Sequence, residues 1–257
     1  MLIISTSLLS HITLMFTQTF TRLKQYPIQL YATSLTYYSL IALVPLLSFW
    51  LGLLEKLGID DLFHTVMHGF LEPMGQVESI VGSTLFEFVH NTHKGLADHF
   101  TVSFFFLAIL FFIYKIDNTI NQLWRIKSKL DWHFVKTWGG MFLLILLFSA
   151  LLFAIKSFPK PIQYLCNYNV AFTLLIWIFF TLPRTKIHLK AALCGSLCCL
   201  VGWLLISRLF QLLIYWNDTY LVVFHDFVGM MIMLLWINLL WVLLLTSTVL
   251  VKEMNKN

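Results

Sequence analysis

The charged side chains of this chain lie almost entirely in the gaps between long apolar runs. Hydrophobic residues make up 59% of the chain and charged residues only 11%, against about 25% charged residues in a soluble domain. A helix needs about 20 apolar residues to cross the hydrocarbon core of a bilayer. The pattern predicts an all-α, polytopic membrane protein with six transmembrane helices, at about residues 32–54, 101–116, 137–155, 168–183, 191–215 and 228–251.

The sign of the charges in these gaps alternates along the chain. The segments at both ends, between the second and third runs, and between the fourth and fifth runs contain twelve basic and three acidic residues; the other segments contain four basic and nine acidic residues. Because basic loops remain in the cytoplasm, both termini are predicted to be cytoplasmic. The net charge of +5 is therefore a topology signal, so the expected partner is the lipid bilayer and no nucleic acid is expected.

Two further segments are predicted to be helical without crossing the membrane. Apolar residues in the stretch 2–20 recur near helical spacing, which favours an N-terminal interfacial helix over a signal peptide or a seventh span. On the outer side, the segment 55–100 contains an amphipathic stripe from Val77 to Val89, which predicts a helix packed on the outer ends of the spans. The whole chain, 1–257, is predicted to be a single integral membrane domain.

Polar residues inside the predicted spans are the best pointers to a site, because each is costly in lipid unless it meets a partner or water. Arg208, Gln211 and Tyr215 are spaced along one face of the fifth span, with Asp218 and Asp226 close enough in sequence to neutralise Arg208. The full substrate-binding hypothesis comprises Arg208, Gln211, Tyr215, Tyr37, Tyr38 and Asn238. In the alternative interpretation, Arg208 extends to the outer headgroups and Asn238 only bonds a neighbouring helix.

Metal and cofactor binding have little support in the sequence. Asp61, His64 and His68 fall at i, i+3 and i+7, but a zinc site needs further ligands at tight spacing, and none completes this set. No metal and no cofactor are therefore expected. The small residues Ala191, Gly195, Cys198 and Gly202 form a stripe on the fifth span, which predicts a face where another helix packs closely.

Two segments resemble the YihY/BrkB family of bacterial inner-membrane proteins, historically labelled ribonuclease BN. One is the first span, Ala32–Leu46, with its Ala-x-x-Leu-x-Tyr-Tyr-Ser-Leu…Pro pattern, and the other is the predicted cytoplasmic turn Tyr114–Arg125, with Asn-x-x-Trp. The residues that carry the resemblance are Tyr37, Tyr38, Pro45, Asn121, Trp124, Pro183 and Gly195. The chain departs from the family at 246–249, where the family has Leu-Gly-Ala-Glu; Glu253 is the candidate replacement for that carboxylate.

The resemblance implies a six-span fold in the bacterial inner membrane, and it leaves several functions open. The favoured one is a transporter or flippase-like factor for an amphiphile, such as an anionic lipid, or for a small anionic solute, with a cavity lined by Arg208 and Tyr37. The alternative is a non-catalytic membrane scaffold for envelope integrity, packed throughout. A tRNA-processing ribonuclease is disfavoured because metal-dependent hydrolysis needs clustered ligands, and the cytoplasmic segments offer only scattered candidates such as His133 and Asp131. The chain is therefore not expected to be an enzyme.

Overall fold

The structure, a computed structural model, describes residues 25–58, 67, 82–83, 87, 99–155, 159–216 and 225–256. Its long helices are α1 (Ile28–Leu57), α2 (His99–Leu123), α3 (Trp132–Ile155), α4 (Lys160–Thr181), α5 (Leu189–Trp216) and α6 (His225–Met254). Within the described ranges these six are long and apolar enough to cross a membrane. The predicted all-α membrane fold is confirmed. The predicted helices at 2–20 and 77–89 lie outside the described ranges, apart from isolated helical positions at 82–83 and 87, and the single domain stays a prediction.

The predicted turn at Tyr114–Arg125 is wrong, because α2 continues to Leu123. The predicted span stops at 116, before the first acidic residue, on the assumption that charged and polar residues leave the membrane for water. Instead Asp117 and Thr119 are each 1% exposed and Asn121 is fully buried. These side chains face protein, so the helix extends almost two turns further than the apolar pattern indicates.

The helices form a bundle whose central members are α1, α5 and α6. Helix α1 packs against α2 and α6, α5 packs between α4 and α6, and α3 packs against α4. The ends at residues 28, 123, 132, 181, 189 and 254 are joined by contacts such as Asn121–Leu182 and His188–Asn255. We call this the basic end, because the connections 124–131 and 182–188 are rich in Lys and Arg.

Two apolar clusters occupy different levels of the bundle. At the basic end, a cluster joins α1, α2, α4 and α6 through residues such as Ala32, Ile120, Leu182 and Leu245. Towards the opposite end, a second cluster joins α1, α5 and α6 around Trp236. That indole is fully buried, with ring centroids 5.7 Å from Trp203 and 5.0 Å from Phe210. The cluster at the basic end thus holds α1, α2, α4 and α6 together.

Helices α5 and α6 approach closely at two glycines. A Cβ atom at Gly195 would lie 2.1 Å from Cγ2 of Val251, and one at Gly202 would lie 2.3 Å from Cδ1 of Leu243. Real Cβ contacts are essentially never this short, so a larger residue at either position would require the side chain of Val251 or Leu243 to shift. The predicted packing stripe is confirmed at both glycines and is wrong for Cys198, which is exposed.

Candidate functional site

The site at the basic end begins where α2 stops. The N–H of Arg125 donates to the carbonyl of Gln122 and the N–H of Ile126 to that of Asn121, both at 2.9 Å. With Arg125 at φ 59°, this is a Schellman motif with a non-glycine residue in the left-handed position. The carbonyl of Leu123 accepts a hydrogen bond from Nζ of Lys252 at 2.6 Å. The last carbonyls of α2 are thus satisfied, and the chain turns sharply away from the helix.

The side chain of Asn121 joins the end of α2 to the end of α4. Its Nδ2 donates to the carbonyls of Asp117 at 2.9 Å and Leu182 at 3.4 Å, and its Oδ1 accepts from the N–H of Arg184 at 3.2 Å. The amide therefore bonds the backbone on both sides of Pro183, which has no N–H of its own. This geometry explains why Asn121 and Pro183, separate parts of the sequence motif, belong to one structural unit.

Arg184 holds the connection between α2 and α3. Its Nη1 lies 2.7 Å from Oδ2 of Asp131, its Nη2 lies 3.8 Å from Oδ2 of Asp117, and Nη2 also donates to the carbonyl of Lys129. The hydroxyl of Ser128 donates to Asp117. The hydrogen bond from Arg184 lowers the pKa of Asp131 below its usual value. One polar atom of the guanidinium, Nε, is buried without a hydrogen-bond partner.

A cavity of about 740 Å³ opens beside Arg184, between the ends of α3 and α4 at the basic end. Its polar wall comes from Asp131, His133, Lys136, Thr137, Thr181, Arg184, Thr185 and Lys186, and its apolar wall from Gly140, Trp177, Phe180 and Pro183. The indole of Trp177 packs over Gly140, where an added Cβ would lie 3.1 Å from its ring. The volume falls within the range of about 300–1,000 Å³ that is typical of small-molecule sites.

An apolar stripe on α3 continues from this cavity along the helix. Lys136 and Gly140 line the cavity, and Leu143, Leu147 and Leu151 follow Gly140 at i+3, i+7 and i+11, which places them on the same face. Their side chains are 65%, 60% and 43% exposed. The cationic cavity and the apolar stripe therefore form one continuous amphipathic surface.

Asn238 bonds the neighbouring helix, as in the alternative interpretation of the sequence. Its Nδ2 donates to the hydroxyl of Thr36 at 3.2 Å, and its Oδ1 accepts from Nε2 of Gln29 at 3.3 Å. One turn further along α6, the indole N–H of Trp241 donates to Ser39 at 2.8 Å. These bonds fasten α6 to α1 inside the bundle.

Tyr38 contacts α2, and Tyr37 lies next to it on the surface of α1. Their rings form an edge-to-face pair with centroids 5.7 Å apart, and Nζ of Lys115 lies 5.3 Å from the ring centroid of Tyr38. Tyr37 is 62% exposed, whereas Pro45, two turns further along the helix, is buried. A cation–π contact of this kind is worth about 0.5–1 kcal/mol at an exposed site.

Arg208 lies on an exposed face of α5, between Leu205 and Leu209, which are 60% and 65% exposed. Its Nη1 donates to Oε1 of Gln211 over 3.4 Å. Arg208 is nineteen residues from the start of α5 and Tyr37 nine from the start of α1, so at 1.5 Å per residue their levels differ by about 15 Å. The structure does not bring Arg208 together with Tyr37, and neither residue lines the cavity.

Some of the remaining residues predicted for a metal or substrate site lie outside the part of the chain that the structure describes. Asp61, His64, His68, Asp218 and the side chains of Tyr215 and Asp226 are not among the described parts. Within those parts, no group of three His, Cys, Asp or Glu residues could hold a metal ion; the absence of a cofactor stays a prediction. Glu253 is 7% exposed and forms an ion pair with Lys256 at 2.7 Å.

The cavity lysines were missed because their charges also serve as topology signals, and the lining residues Asp131 and His133 were considered only as scattered candidates for hydrolysis. Lys136 and Lys186 belong to basic segments that any cytoplasmic loop contains, and charge sign alone cannot separate a lining residue from a solvated one. The adjacent Gly139-Gly140 pair close to the basic start of the third run was a usable signal, because glycine in a helix often marks a close approach.

These observations define a polytopic α-helical membrane protein with a cationic cavity at one end of its bundle. The chain matches the family described as Virulence factor BrkB over residues 19–257, and it belongs to that family. The resemblance found in the sequence is thereby confirmed.

Several relatives cover most of the chain. A UPF0761 membrane protein of Vibrio parahaemolyticus is 28% identical over 233 residues, which cover 82% of this chain and 72% of the relative. A UPF0761 membrane protein of Mannheimia succiniciproducens is 24% identical over 257 residues, covering 92% and 88% of the two chains. No solved structure matches the chain. The names of these relatives describe membrane proteins and assign them no activity.

Proposed function

We propose that this protein is a transporter or flippase-like factor that receives an anionic amphiphile at its basic end, and that this end faces the cytoplasm from the inner membrane. The observation that carries the proposal is the cavity between α3 and α4, whose cationic wall continues into the exposed apolar stripe of α3. The charge segregation of the sequence supports the orientation, because basic segments remain in the cytoplasm.

The composition of the cavity suits a charged headgroup with an attached apolar chain. Lys136, Arg184 and Lys186 provide cations at the level where the helices end, and Trp177 and Phe180 provide apolar surface next to them. An acyl chain that leaves the cavity would lie along Leu143 and Leu147. A soluble anion would gain nothing from this stripe, so the combined surface favours an amphiphile.

The packing of α3 and α4 supports movement at this site. In their most apolar stretches, 17% of the residues of α3 and 12% of those of α4 are buried, against 39% for α6. Elements with few buried contacts are those that open at the lowest free-energy cost. The cavity therefore lies between the two helices whose packing offers least resistance to the rearrangement that transport requires.

Transport can be tested in proteoliposomes that contain a fluorescent anionic lipid, by quenching the fluorophore in one leaflet and following lipid exchange. We expect the double variant Lys136→Gln/Lys186→Gln to slow exchange markedly. The matched control, Lys127→Gln/Lys190→Gln, removes two exposed charges that do not line the cavity and should behave as wild type. Exchange no faster than in protein-free vesicles, for the folded wild-type protein, would contradict the proposal.

A non-catalytic scaffold is the second candidate, and the packing roles of the motif residues favour it. Asn121 bonds backbone groups of the α4–α5 connection, and Gly195 permits contact between α5 and α6. A scaffold needs these contacts and no cavity. It therefore predicts that variants with altered cavity charges keep full function in cells, provided that their membrane abundance is unchanged.

A further inference from the structure

We propose that the cavity beside Arg184 selects a dianionic phosphomonoester group over a monoanionic phosphodiester. This inference concerns the ligand class of the same cavity and rests on the proposed function. It follows from the balance of fixed charges in the cavity wall and from the position of one carboxylate, that of Asp131.

The charges of the lining residues do not cancel. Lys136 and Lys186 are cations of the cavity wall, whereas Arg184 is already compensated by the carboxylates of Asp131 and Asp117, whose oxygens lie 2.7 and 3.8 Å from its Nη atoms. Neither Lys136 nor Lys186 has an ion-pair partner among the residues that the structure describes. A ligand with two negative charges would compensate both lysines, whereas a monoanion would leave one of them uncompensated.

Asp131 is a resident anion of this wall, that is, a negative charge that the protein itself places beside Arg184. Its carboxylate lies 2.7 Å from Nη1 of Arg184, and its side chain is 46% exposed. A monoanionic ligand offers Arg184 no more charge than Asp131 already does. A phosphomonoester carries a charge of about −1.5 to −2 at pH 7 and three strong acceptor oxygens, so it can compete for Arg184 while also binding a lysine.

Arg184 has a donor in reserve for such a ligand. Its Nη atoms contact Asp131 and the Lys129 carbonyl, but Nε is buried without a partner. Burying an N–H without a hydrogen bond is costly, and a planar guanidinium suits phosphate oxygens because its donors form a rigid fork. The source could be a lipid headgroup or a soluble phosphomonoester, since both carry the same group.

The test measures binding of phosphatidic acid, a phosphomonoester, and phosphatidylglycerol, a phosphodiester, to the purified full-length protein by native mass spectrometry at one pH and salt concentration. We expect the wild-type protein to prefer phosphatidic acid by about two- to fivefold, the size of one additional exposed ion pair. The Lys136→Gln/Lys186→Gln variant should lose this preference, and Lys127→Gln/Lys190→Gln should retain it.

The variant Asp131→Asn separates a resident anion from a merely structural residue. Asp131 also accepts a hydrogen bond from the N–H of Phe134 at 3.1 Å at the start of α3, and asparagine serves equally well at this capping position. We expect Asp131→Asn to raise affinity for phosphatidylglycerol more than affinity for phosphatidic acid. A structural role would leave both affinities unchanged or lower both.

Competition by glycerol 3-phosphate distinguishes the sources of the group. Displacement of phosphatidic acid at similar concentrations points to a soluble phosphomonoester, and failure to displace it points to a lipid; both agree with the inference. Equal affinity for the two lipids in the wild-type protein would overturn it. If the protein prefers phosphatidic acid but does not exchange lipids, only the transport proposal is contradicted. If it exchanges both lipids and binds them with equal affinity, only the inference about the phosphomonoester is contradicted.

Discussion

The two ends of the bundle differ in whether their charged and polar side chains are buried or exposed. At the basic end, Asp117 and Asn121 are buried, and Arg184 is largely buried, in a network that joins two connections. Towards the opposite end, aromatic rings around Trp236 fill the contact between α1, α5 and α6, and the cation Arg208 lies on the exposed face of α5. A charge inside a predicted span is therefore a weaker sign of a site than a set of charges buried together beside a cavity.

The largest effect is expected for Asn121→Ala, which would test whether the network is structural. The change leaves the Leu182 carbonyl and the Arg184 N–H without their partner, at about 1–3 kcal/mol for each unpaired buried group. We expect the protein to lose about 2–4 kcal/mol of stability, measured by unfolding in detergent. Asn118→Ala, on the same helix, is the control, because Asn118 has no hydrogen-bond partner among the described residues; equal loss in both variants would contradict the account.

A smaller loss is expected for Gly195→Ala, in the contact between α5 and α6. The new Cβ atom would overlap Cγ2 of buried Val251, and overpacking of this kind costs about 1–3 kcal/mol. At Gly139 an added Cβ would meet nothing within 4 Å, so Gly139→Ala should be neutral or slightly stabilising. Thermal unfolding of the two variants gives the comparison, and a Gly195→Ala protein as stable as Gly139→Ala would show that the helices do not approach so closely.

The sequence predicted the fold more completely than the site. The number of spans followed from the lengths of the apolar runs and the charges between them, because each of these properties depends only on the local sequence. The extension of α2 through Asn121 did not follow, since its polar residues are buried by partners such as Leu182 and Arg184, 61 and 63 residues away. The cavity was unpredictable for the same reason: Lys136 of α3 and Lys186 of the connection after α4 line one cavity only once α3 packs against α4.

A still smaller effect concerns the pH dependence of the Arg184–Asp131 pair. Because the folded protein lowers the pKa of Asp131, the pair stabilises the fold above the unfolded value of about 3.9 and loses this contribution as the pH falls through the lower, folded value. We expect the pair to contribute no change in stability between pH 5 and 8, and a loss below about pH 4. Stability measured against pH in wild type and Asp131→Asn should differ in slope only in that acid range; a different slope near neutral pH would contradict this assignment.

The smallest effect is expected for Arg208, on the opposite part of the bundle. The side chain of Arg208 is exposed, and its described polar contact is a 3.4 Å hydrogen bond to Gln211. We therefore expect Arg208→Lys and Arg208→Leu to change the stability by no more than about 0.5 kcal/mol. Lipid exchange should also be unchanged in both variants. Loss of exchange in the folded Arg208→Lys protein would instead support the original hypothesis, because lysine cannot reproduce the planar guanidinium fork.

We expect an anionic amphiphile to bind at the basic end, beside Arg184, rather than near Arg208. The direct measurement is cross-linking with an anionic lipid that carries a photoreactive group at its headgroup, followed by mass-spectrometric mapping of the modified peptides. Adducts are expected on the start of α3 and the end of α4, around Lys136 and Trp177. They should be reduced in Lys136→Gln/Lys186→Gln and kept in Lys127→Gln/Lys190→Gln. Adducts concentrated on α5 around Arg208, with none beside the cavity, would contradict this expectation.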